Sequence, residues 1–339
     1  MMDIQNAIQS IIDKKHLSND EMRSVMQNIM TGECTDAQIA GFLVGLRSKG
    51  ETVEEITAAA NVMRQLASRV QINQENLIDT CGTGGDGSNT FNISTTAAFV
   101  VAAAGGNVAK HGNRSVSSKS GSADVLEAAG VKLEITPEQI AQCIETIGIG
   151  FMFAPMHHSA MKYAIAPRRE LGVRTLFNVL GPLTNPAGAK RQVMGVFSRD
   201  WLDTLVNVLK NLGSKQVMIV HSEDGMDEIS ISAPTRIAEL KNGEIKTYTI
   251  EPEQFKLQRA DISTLAVKNV EDSLKMMHAV MENQGGPSQD IVLLNAGAAI
   301  YTAGIEDTLA SGIESARRVV ENGSARSKLV ELAKLTQSF

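Results

Sequence analysis

The residues best placed to do chemistry begin with Gly82-Thr83-Gly84-Gly85-Asp86-Gly87, four glycines in six positions. The loop follows an apolar strand signal, Leu77-Ile78-Asp79-Thr80, and precedes a helix start near Asn92-Ile93-Ser94-Thr95. Glycines there let backbone N–H groups approach phosphate oxygens with no Cβ in the way. The helix start adds free N–H donors and the positive end of a helix dipole, and Thr90, Asn92, Ser94 and Thr95 add side-chain donors. A plain tight turn is the alternative. A second group runs from Lys110-His111-Gly112-Asn113-Arg114-Ser115 through Val116-Ser117-Ser118-Lys119 to Ser122. Cations and hydroxyls packed at one strand end can hold a diphosphate or a ribose phosphate, although each lysine taken alone reads as a solvated surface residue. In Arg168-Arg169 one guanidinium can fork onto a carboxylate, against a surface salt bridge from Arg169 to Glu170. Asp227-Glu228, after Gly225, can converge on a hard cation such as magnesium, or form a solvated acidic turn.

Two phosphate-binding signatures fit the glycine loop by spacing and fail on the residue that carries their mechanism. Gly82, Gly84 and Gly87 have dinucleotide-fold spacing, but the acid required about 20 residues on is replaced by Asn107. Gly82 and Gly87 have Walker A spacing, but Ser88-Asn89 stand where Lys-Ser/Thr is needed.

The elements that must position these residues alternate. The first 70 residues read as helical, with capping-box spacing at Ser18/Glu21, Thr35/Gln38 and Thr52/Glu55 and stops at Gly32 and Gly50. Strand signals follow at 77–80, 108–109, 150–153, 193–197 and 217–220. Helical signals interleave at 94–104, 124–129, 137 onward (Thr136 as cap) and 201–212, and a hairpin turns at Asn242-Gly243. The last 70 residues return to helix. The expected fold is therefore α/β: a small all-helical domain, 1–70, with part of 160–190 packing on it, and a large domain, 71–339, whose central, mostly parallel sheet is flanked by helices. The segment 178–186 reads as a loop because Pro182 and Pro186 forbid a regular helix. No flexible linker is expected between the parts.

Composition narrows the function classes. The 339 residues are 43% hydrophobic with no stretch long enough to span a membrane, and the amino terminus lacks a secretory pattern. Cys34, Cys81 and Cys143 are too dispersed for a disulfide framework or zinc site and fit a reducing cytoplasm; Cys81, beside the glycine loop, is the one whose reactivity merits assay. A net charge of −6 argues against a nucleic-acid partner. Locally the balance reverses: residues 87–123 contain no Asp or Glu, where about four are expected, but hold Lys110, His111, Arg114, Lys119 and ten Ser or Thr.

The stretches 79–96, 110–130, 151–155 with 168–186, and 225–229 together closely resemble the anthranilate phosphoribosyltransferases, and the likeness extends over essentially the whole chain. Ser115 stands where members often carry a small apolar residue, and Met161 falls in a more variable part of the anthranilate pocket. The resemblance implies a fold of nucleoside phosphorylase/phosphoribosyltransferase type and a phosphoribosyl transfer from phosphoribosyl pyrophosphate to anthranilate in tryptophan biosynthesis. It implies that Gly82, Gly85, Asp86, Thr90, Asn92, Ile93, Ser94, Thr95, Lys110, His111, Gly112, Asn113, Arg114, Ser115, Val116, Ser117, Ser118 and Ser122 hold the diphosphate substrate. Gly82, Asn113 and Arg168 would meet anthranilate, and Ser94, Asp227 and Glu228 would serve magnesium, two ions per subunit. A homodimer through the helical domain is implied, and no acid–base residue is nominated; His157 and His158 read as structural. The rivals are a nucleoside phosphorylase of the same fold, which should lack the Asn113-Arg114 pairing, and a non-catalytic, nucleic-acid-binding relative, which should lack Asp227-Glu228.

Overall fold

The computed structural model describes residues 2–74, 76–115 and 119–339. Four helices open the chain: α1 (Ile4–Ile12), α2 (Asn19–Thr31), α3 (Asp36–Lys49) and α4 (Val53–Leu66). The capping boxes expected at Ser18, Thr35 and Thr52 are all formed, and Gly32 and Gly50 end α2 and α3 with φ of 83° and 91°. These helices are short, so their stability comes from the apolar faces they bury. One buried ion pair sits among them. Glu55 accepts from Lys49 Nζ (2.9 Å) and from the Leu17 amide (2.9 Å), and Lys49 also meets His16 Nδ1 at 2.8 Å.

Next come β1 (Leu77–Gly82), α5 (Ile93–Ala103), β2 (Asn107–Gly112), α6 (Ser122–Ala128), α7 (Pro137–Ile147), β3 (Ile149–Phe153) and α8 (Ala154–His157). They are followed by α9 (Lys162–Leu171), α10 (Leu176–Leu180), β4 (Arg191–Gly195), α11 (Trp201–Asn211), β5 (Gln216–Ser222), β6 (Thr235–Lys241) and β7 (Glu244–Ile250). Helices α12 (Val270–Met281), α13 (Pro287–Ala303), α14 (Leu309–Glu321) and α15 (Ser324–Gln337) close the chain. The described strands form one sheet ordered β3-β2-β1-β4-β5-β6-β7, parallel from β3 through β5 and antiparallel at β6 and β7. The β6–β7 hairpin turns at Asn242-Gly243, as its composition predicts, with both residues at positive φ. The 178–186 loop expectation needs correction: 178–180 belong to α10 and Gly181–Leu183 is a 3-10 turn. Pro182 fits there because the first turn of a helix needs no N–H donor.

Strand periodicity splits the core. Val193, Met218 and Ile237 face a cluster with α5, α13 and α15, while Met194, Val217, Ile219 and Leu240 face α11 and the opening helices. That second cluster also takes Ala164, Leu176, Phe177, Leu180 and Leu183, so the helical part and the sheet share one interior with no free linker between them. Arg64 of α4 crosses the junction, donating to the Leu183 carbonyl at 2.7 Å.

Removing the carboxylate from the buried pair should expose its weight. Glu55→Ala leaves the buried Lys49 without its counter-charge and the Leu17 amide without its acceptor, and should lower unfolding free energy by about 3–5 kcal/mol in a urea titration. A change below about 1 kcal/mol would mark the pair as a solvated surface contact.

Candidate functional site

In the sheet order, β1 lies between β2 and β4, so the chain reverses its direction of strand addition there. Open α/β sheets bind ligands outside the carboxyl ends of the strands at such a switch. The glycine loop leaves β1 at that point and the Lys110 segment leaves β2 beside it, so both expected phosphate-binding segments open on the same sheet edge.

The loop is built from backbone. Gly84, Gly85 and Gly87 have φ of 69°, 75° and 80°, a region L-residues avoid. Thr83 donates its amide to the Gly195 carbonyl (2.9 Å) and accepts the Phe197 amide on Oγ1 (3.1 Å), anchoring the loop to β4. Arg174, in the turn after α9, stacks 4.0 Å over the Phe197 ring and donates to the Gly85 carbonyl. Its own carbonyl accepts from Arg47 of α3. Asp86 accepts from the Ser88 amide and hydroxyl at 3.2 and 2.6 Å.

Asp227 and Glu228 come from the β5–β6 connection and cross the strand ends. Asp227 Oδ2 accepts the Gly84 amide at 2.7 Å, and Glu228 Oε1 accepts the Ser94 amide, at the start of α5, at 3.2 Å. Only glycine permits this approach: a Cβ at Gly195 would lie 1.5 Å from the Asp227 carbonyl oxygen, and one at Gly82 2.3 Å from its Oδ2. Asn295 of α13 clamps the connection, accepting the Ile229 amide and donating to the Ile229 carbonyl, both at 2.9 Å. The two acids are thus built in rather than solvated. Burial raises the Asp227 carboxyl to about 7, helped by repulsion from Asp86, and raises Glu228 to about 8, helped by Asp227.

Lys110 is buried, with Nζ on the Thr80 carbonyl and 3.4 Å from Ser94 Oγ. It therefore faces the start of α5 from the β2 side, as the acids do from β5. His111 is buried beside it, 5.1 Å from His158 between ring centroids. Burial and the neighbouring imidazoles hold His111 well below the usual histidine range, and burial takes His158 to about 4. Both rings are neutral. His157 is also buried, its Nδ1 2.7 Å from the Ser68 carbonyl.

The remaining candidates divide. Thr90 bridges to Ala266, and the Asn92 side chain is taken up by Ser120 and Ser273, with Oδ1 2.7 Å from each hydroxyl. Ile93 buries its side chain and offers only backbone, while Thr95 is buried with an unpartnered hydroxyl. Gly112 packs on Ser122, where a Cβ would meet Oγ at 2.2 Å, and Ser115 gives its amide to Asp124 Oδ2 at 3.0 Å. Asn113 is exposed, its Oδ1 accepting the Arg114 amide at 2.8 Å. The Arg114 guanidinium turns to α6, where it meets Glu127 (2.7 Å) and Asp124 (3.1 Å), so the structure gives it acids rather than a free cationic role. Val116, Ser117 and Ser118 lie outside the described residues. Arg168, on α9, has no carboxylate within ion-pair distance among the described residues and lies 5.4 Å over the Phe177 ring. Burial of the Cys81 thiol pushes it well above its ordinary value, which makes it a poor nucleophile.

Residues 74–326 match the α/β domain of the glycosyl transferase family, and residues 5–67 match that family's helical bundle domain. The anthranilate phosphoribosyltransferase of Thioalkalivibrio sulfidiphilus is 61% identical over 99% of this chain and 100% of its own. The chain belongs to the anthranilate phosphoribosyltransferase family. The solved family member from Thermus thermophilus superposes with a TM-score of 0.93 at 41% identity, covering 98% of this chain and 99% of that one. The one from Saccharomyces cerevisiae, solved in complex with PRPP and Mg, shares the fold at a TM-score of 0.91 and 24% identity, over 99% and 98% of the two chains.

The donor set of this family member suits a hard divalent cation. Asp227, Glu228 and the Ser94 hydroxyl are oxygen donors of the kind that would hold magnesium, an ion that keeps several waters. Among the described residues no three His, Cys, Asp or Glu side chains gather closely enough to enclose an ion unaided.

The raised carboxyls make stability depend on pH. Acids whose folded pKa exceeds the unfolded value near 4 stabilise the fold below that value, and the contribution is lost as pH climbs through 7 to 8. In metal-free buffer the thermal midpoint should fall between pH 5.5 and 8.5 and flatten in Asp227→Asn. A midpoint equally pH-dependent in that variant would place the titrating groups elsewhere.

Proposed function

We propose that this chain transfers the phosphoribosyl group of PRPP (5-phosphoribosyl 1-pyrophosphate) to the amine of anthranilate, releasing pyrophosphate, as a step of tryptophan biosynthesis. One observation carries the reading: a buried and a half-buried acid, a buried lysine, a glycine loop and a helix start all meet at the strand ends of β1, β2 and β4. The names of the full-length relatives supply the substrate pair.

The diphosphate lies against the amides of Gly82, Gly85 and Asp86 and the start of α5 from Asn92 to Thr95, with Lys110 on its other side. Ser94, Asp227 and Glu228 hold magnesium, two ions per subunit, a reading supported by the PRPP and Mg complex of the Saccharomyces cerevisiae protein. When bound, magnesium neutralises the leaving diphosphate. The chain's own contribution is positioning and preorganised electrostatics. Backbone donors and Lys110 favour charge build-up on the departing oxygen, and the ribose carbon gains oxocarbenium character before the amine bonds fully. Arg168, lacking an acidic partner among the described residues and stacked over Phe177, fits an aromatic carboxylate, with Asn113 and Gly82 completing that subsite. An aromatic amine is neutral at pH 7, so its proton passes to water or to the substrate's own carboxylate without an enzyme base. Neutral His111 is consistent with that assignment.

The chain divides into a helical domain, 1–70, packed with part of 160–190, and a catalytic domain, 71–339; the shared core around α4, α9 and α10 supports this division. It forms a homodimer through the helical domain, supported by exposed Ile12 on α1, Val44 on α3 and Ile165 on α9. It works in the cytoplasm without nucleic-acid or membrane partners. Net charge −6, three free cysteines and the absence, among the described residues, of any helix long and apolar enough to cross a membrane support that setting.

Loss of anthranilate fluorescence on mixing with PRPP should require magnesium and vanish in the Asp227→Ala/Glu228→Ala double variant. A folded, pure chain inert towards both substrates would remove the assignment. Arg168→Ala should raise KM for anthranilate roughly thirtyfold or more, about 2 kcal/mol of lost charge pairing. An unchanged anthranilate dependence would take Arg168 out of the subsite.

A further inference from the structure

The ladder between β1 and β2 stops early. It pairs Leu77 with Asn107 and Ile78 with Val108, whereas β1 runs five pairs along β4 and β2 runs five along β3. Both strands continue beyond the break, so main-chain groups that should bond across it need other partners. Alternation identifies them. The Val108 amide donates to the Gly148 carbonyl (2.8 Å) at the foot of β3, so the groups of Ala109 and His111 face β1. The Thr83 amide donates to Gly195 (2.9 Å) on the β4 side, so the Thr80 carbonyl faces β2.

The Ala109 carbonyl, the His111 amide and the Thr80 carbonyl are each taken by a side chain. Asn185 Nδ2 donates to the Ala109 carbonyl at 2.8 Å and to Asp79 Oδ2 at 2.8 Å. Asp79 Oδ1 accepts the His111 amide at 3.2 Å. The Thr80 carbonyl receives Lys110 Nζ. Asn185 is itself oriented by the Ala187 amide, which donates to its Oδ1 at 3.0 Å. Asp79 and Asn185 are buried, at 0% and 7% exposure, so none of these bonds is replaced by water without loss.

We propose that Asp79 and Asn185 are positioning residues, a side-chain wedge that interrupts the β1–β2 ladder and so lets Lys110 and the glycine loop face one diphosphate across the opening. The proposal rests on the function given above and adds two residues that touch neither substrate. It also gives the segment Asn185-Pro186 a role at the site: it separates the two strands that carry the phosphate-binding loops.

The test uses near-isosteric variants of the full chain. Asn185→Asp removes both donated bonds and sets a carboxylate against Asp79 and the Ala109 carbonyl, while Asp79→Asn replaces one of the two acceptor oxygens by a donor, so either Asn185 Nδ2 or the His111 amide loses its acceptor. Calorimetry with PRPP and magnesium should show binding weakened roughly tenfold in each, the scale of a lost buried charge-assisted bond. KM for anthranilate should stay within about twofold. Hydrogen exchange without ligand should be faster at the amides of 109–112 than in the parent chain. If Asn185→Asp does not fold, Asn185→Ser, which keeps a donor but shortens its reach, is held to the same criteria. PRPP binding within twofold of the parent, or equal weakening towards both substrates, overturns the wedge. So does unchanged exchange at 109–112, whatever the activity. A parent chain that binds no PRPP sinks the functional reading instead, and leaves the exchange result to judge the wedge alone.

Discussion

Asp227 lies directly on Gly82 and Gly195, its carboxylate over the first and its backbone over the second, and this contact fixes the geometry of the whole site. It sets the acidic connection across the strand ends, brings one carboxylate to the Gly84 amide and allows the next to reach the start of α5. Any side chain at Gly195 would strike main-chain oxygen rather than a movable side-chain tip, so the connection itself would have to lift. The rest of the fold holds this contact in place. Asn295 pins the loop from α13, the Ser222 amide donates to the Met226 carbonyl at 3.1 Å where the loop returns, and the sheet switch point leaves room above β1.

The parts around that contact are anchored differently. The acids, Lys110 and the wedge at Asp79 are tied to buried strands and to α13. The glycine loop, by contrast, reaches outward and is steadied by Arg174, which Arg47 links to the opening helices. The helical part thereby touches the phosphate-binding loop as well as packing under the sheet, which explains why the two parts share an interior instead of a linker.

Much of this was legible in the sequence where the signal is local. Capping boxes join residues three apart, glycines with positive φ announce turns, and parallel strands read as short apolar runs; all were found near their expected positions. The loop after β1 and the cations after β2 could be assigned to one end of the sheet for the same reason. What sequence did not reveal is distant pairing. Asn185 reaches Asp79 across 106 positions, Arg174 reaches Gly85 across 89 and Asn295 reaches Ile229 across 66, and none carries a local pattern. Arg114 shows the converse. Its neighbours make it look like a phosphate ligand, and its guanidinium also meets Glu127, thirteen residues on and just past the acid-free window, a pairing that no local pattern announces. The helix at 176–180 was hidden because the prolines that follow it dominate the local reading, although Pro182 sits where a proline is harmless.

Charge balance at the strand ends links affinity to cation binding. Asp86, Asp227 and Glu228 face Lys110 and Arg174 there, so acids outnumber cations in a chain already net negative. A polyanion entering alone would meet that excess in a poorly solvated setting, where like charges repel most strongly. Protonating the acids relieves the repulsion at low pH, and burial first, with that repulsion second, raises their carboxyls to about 7 and about 8. A divalent cation held by Asp227 and Glu228 would relieve it at neutral pH by a different route, by favouring their ionised form and supplying positive charge to the phosphates. The buried acids then favour the diphosphate only in company with its counter-ion. By the same linkage, a ligand without a magnesium-binding diphosphate gains nothing from them, so the residues that look repulsive to an anion are the ones that select this class of anion.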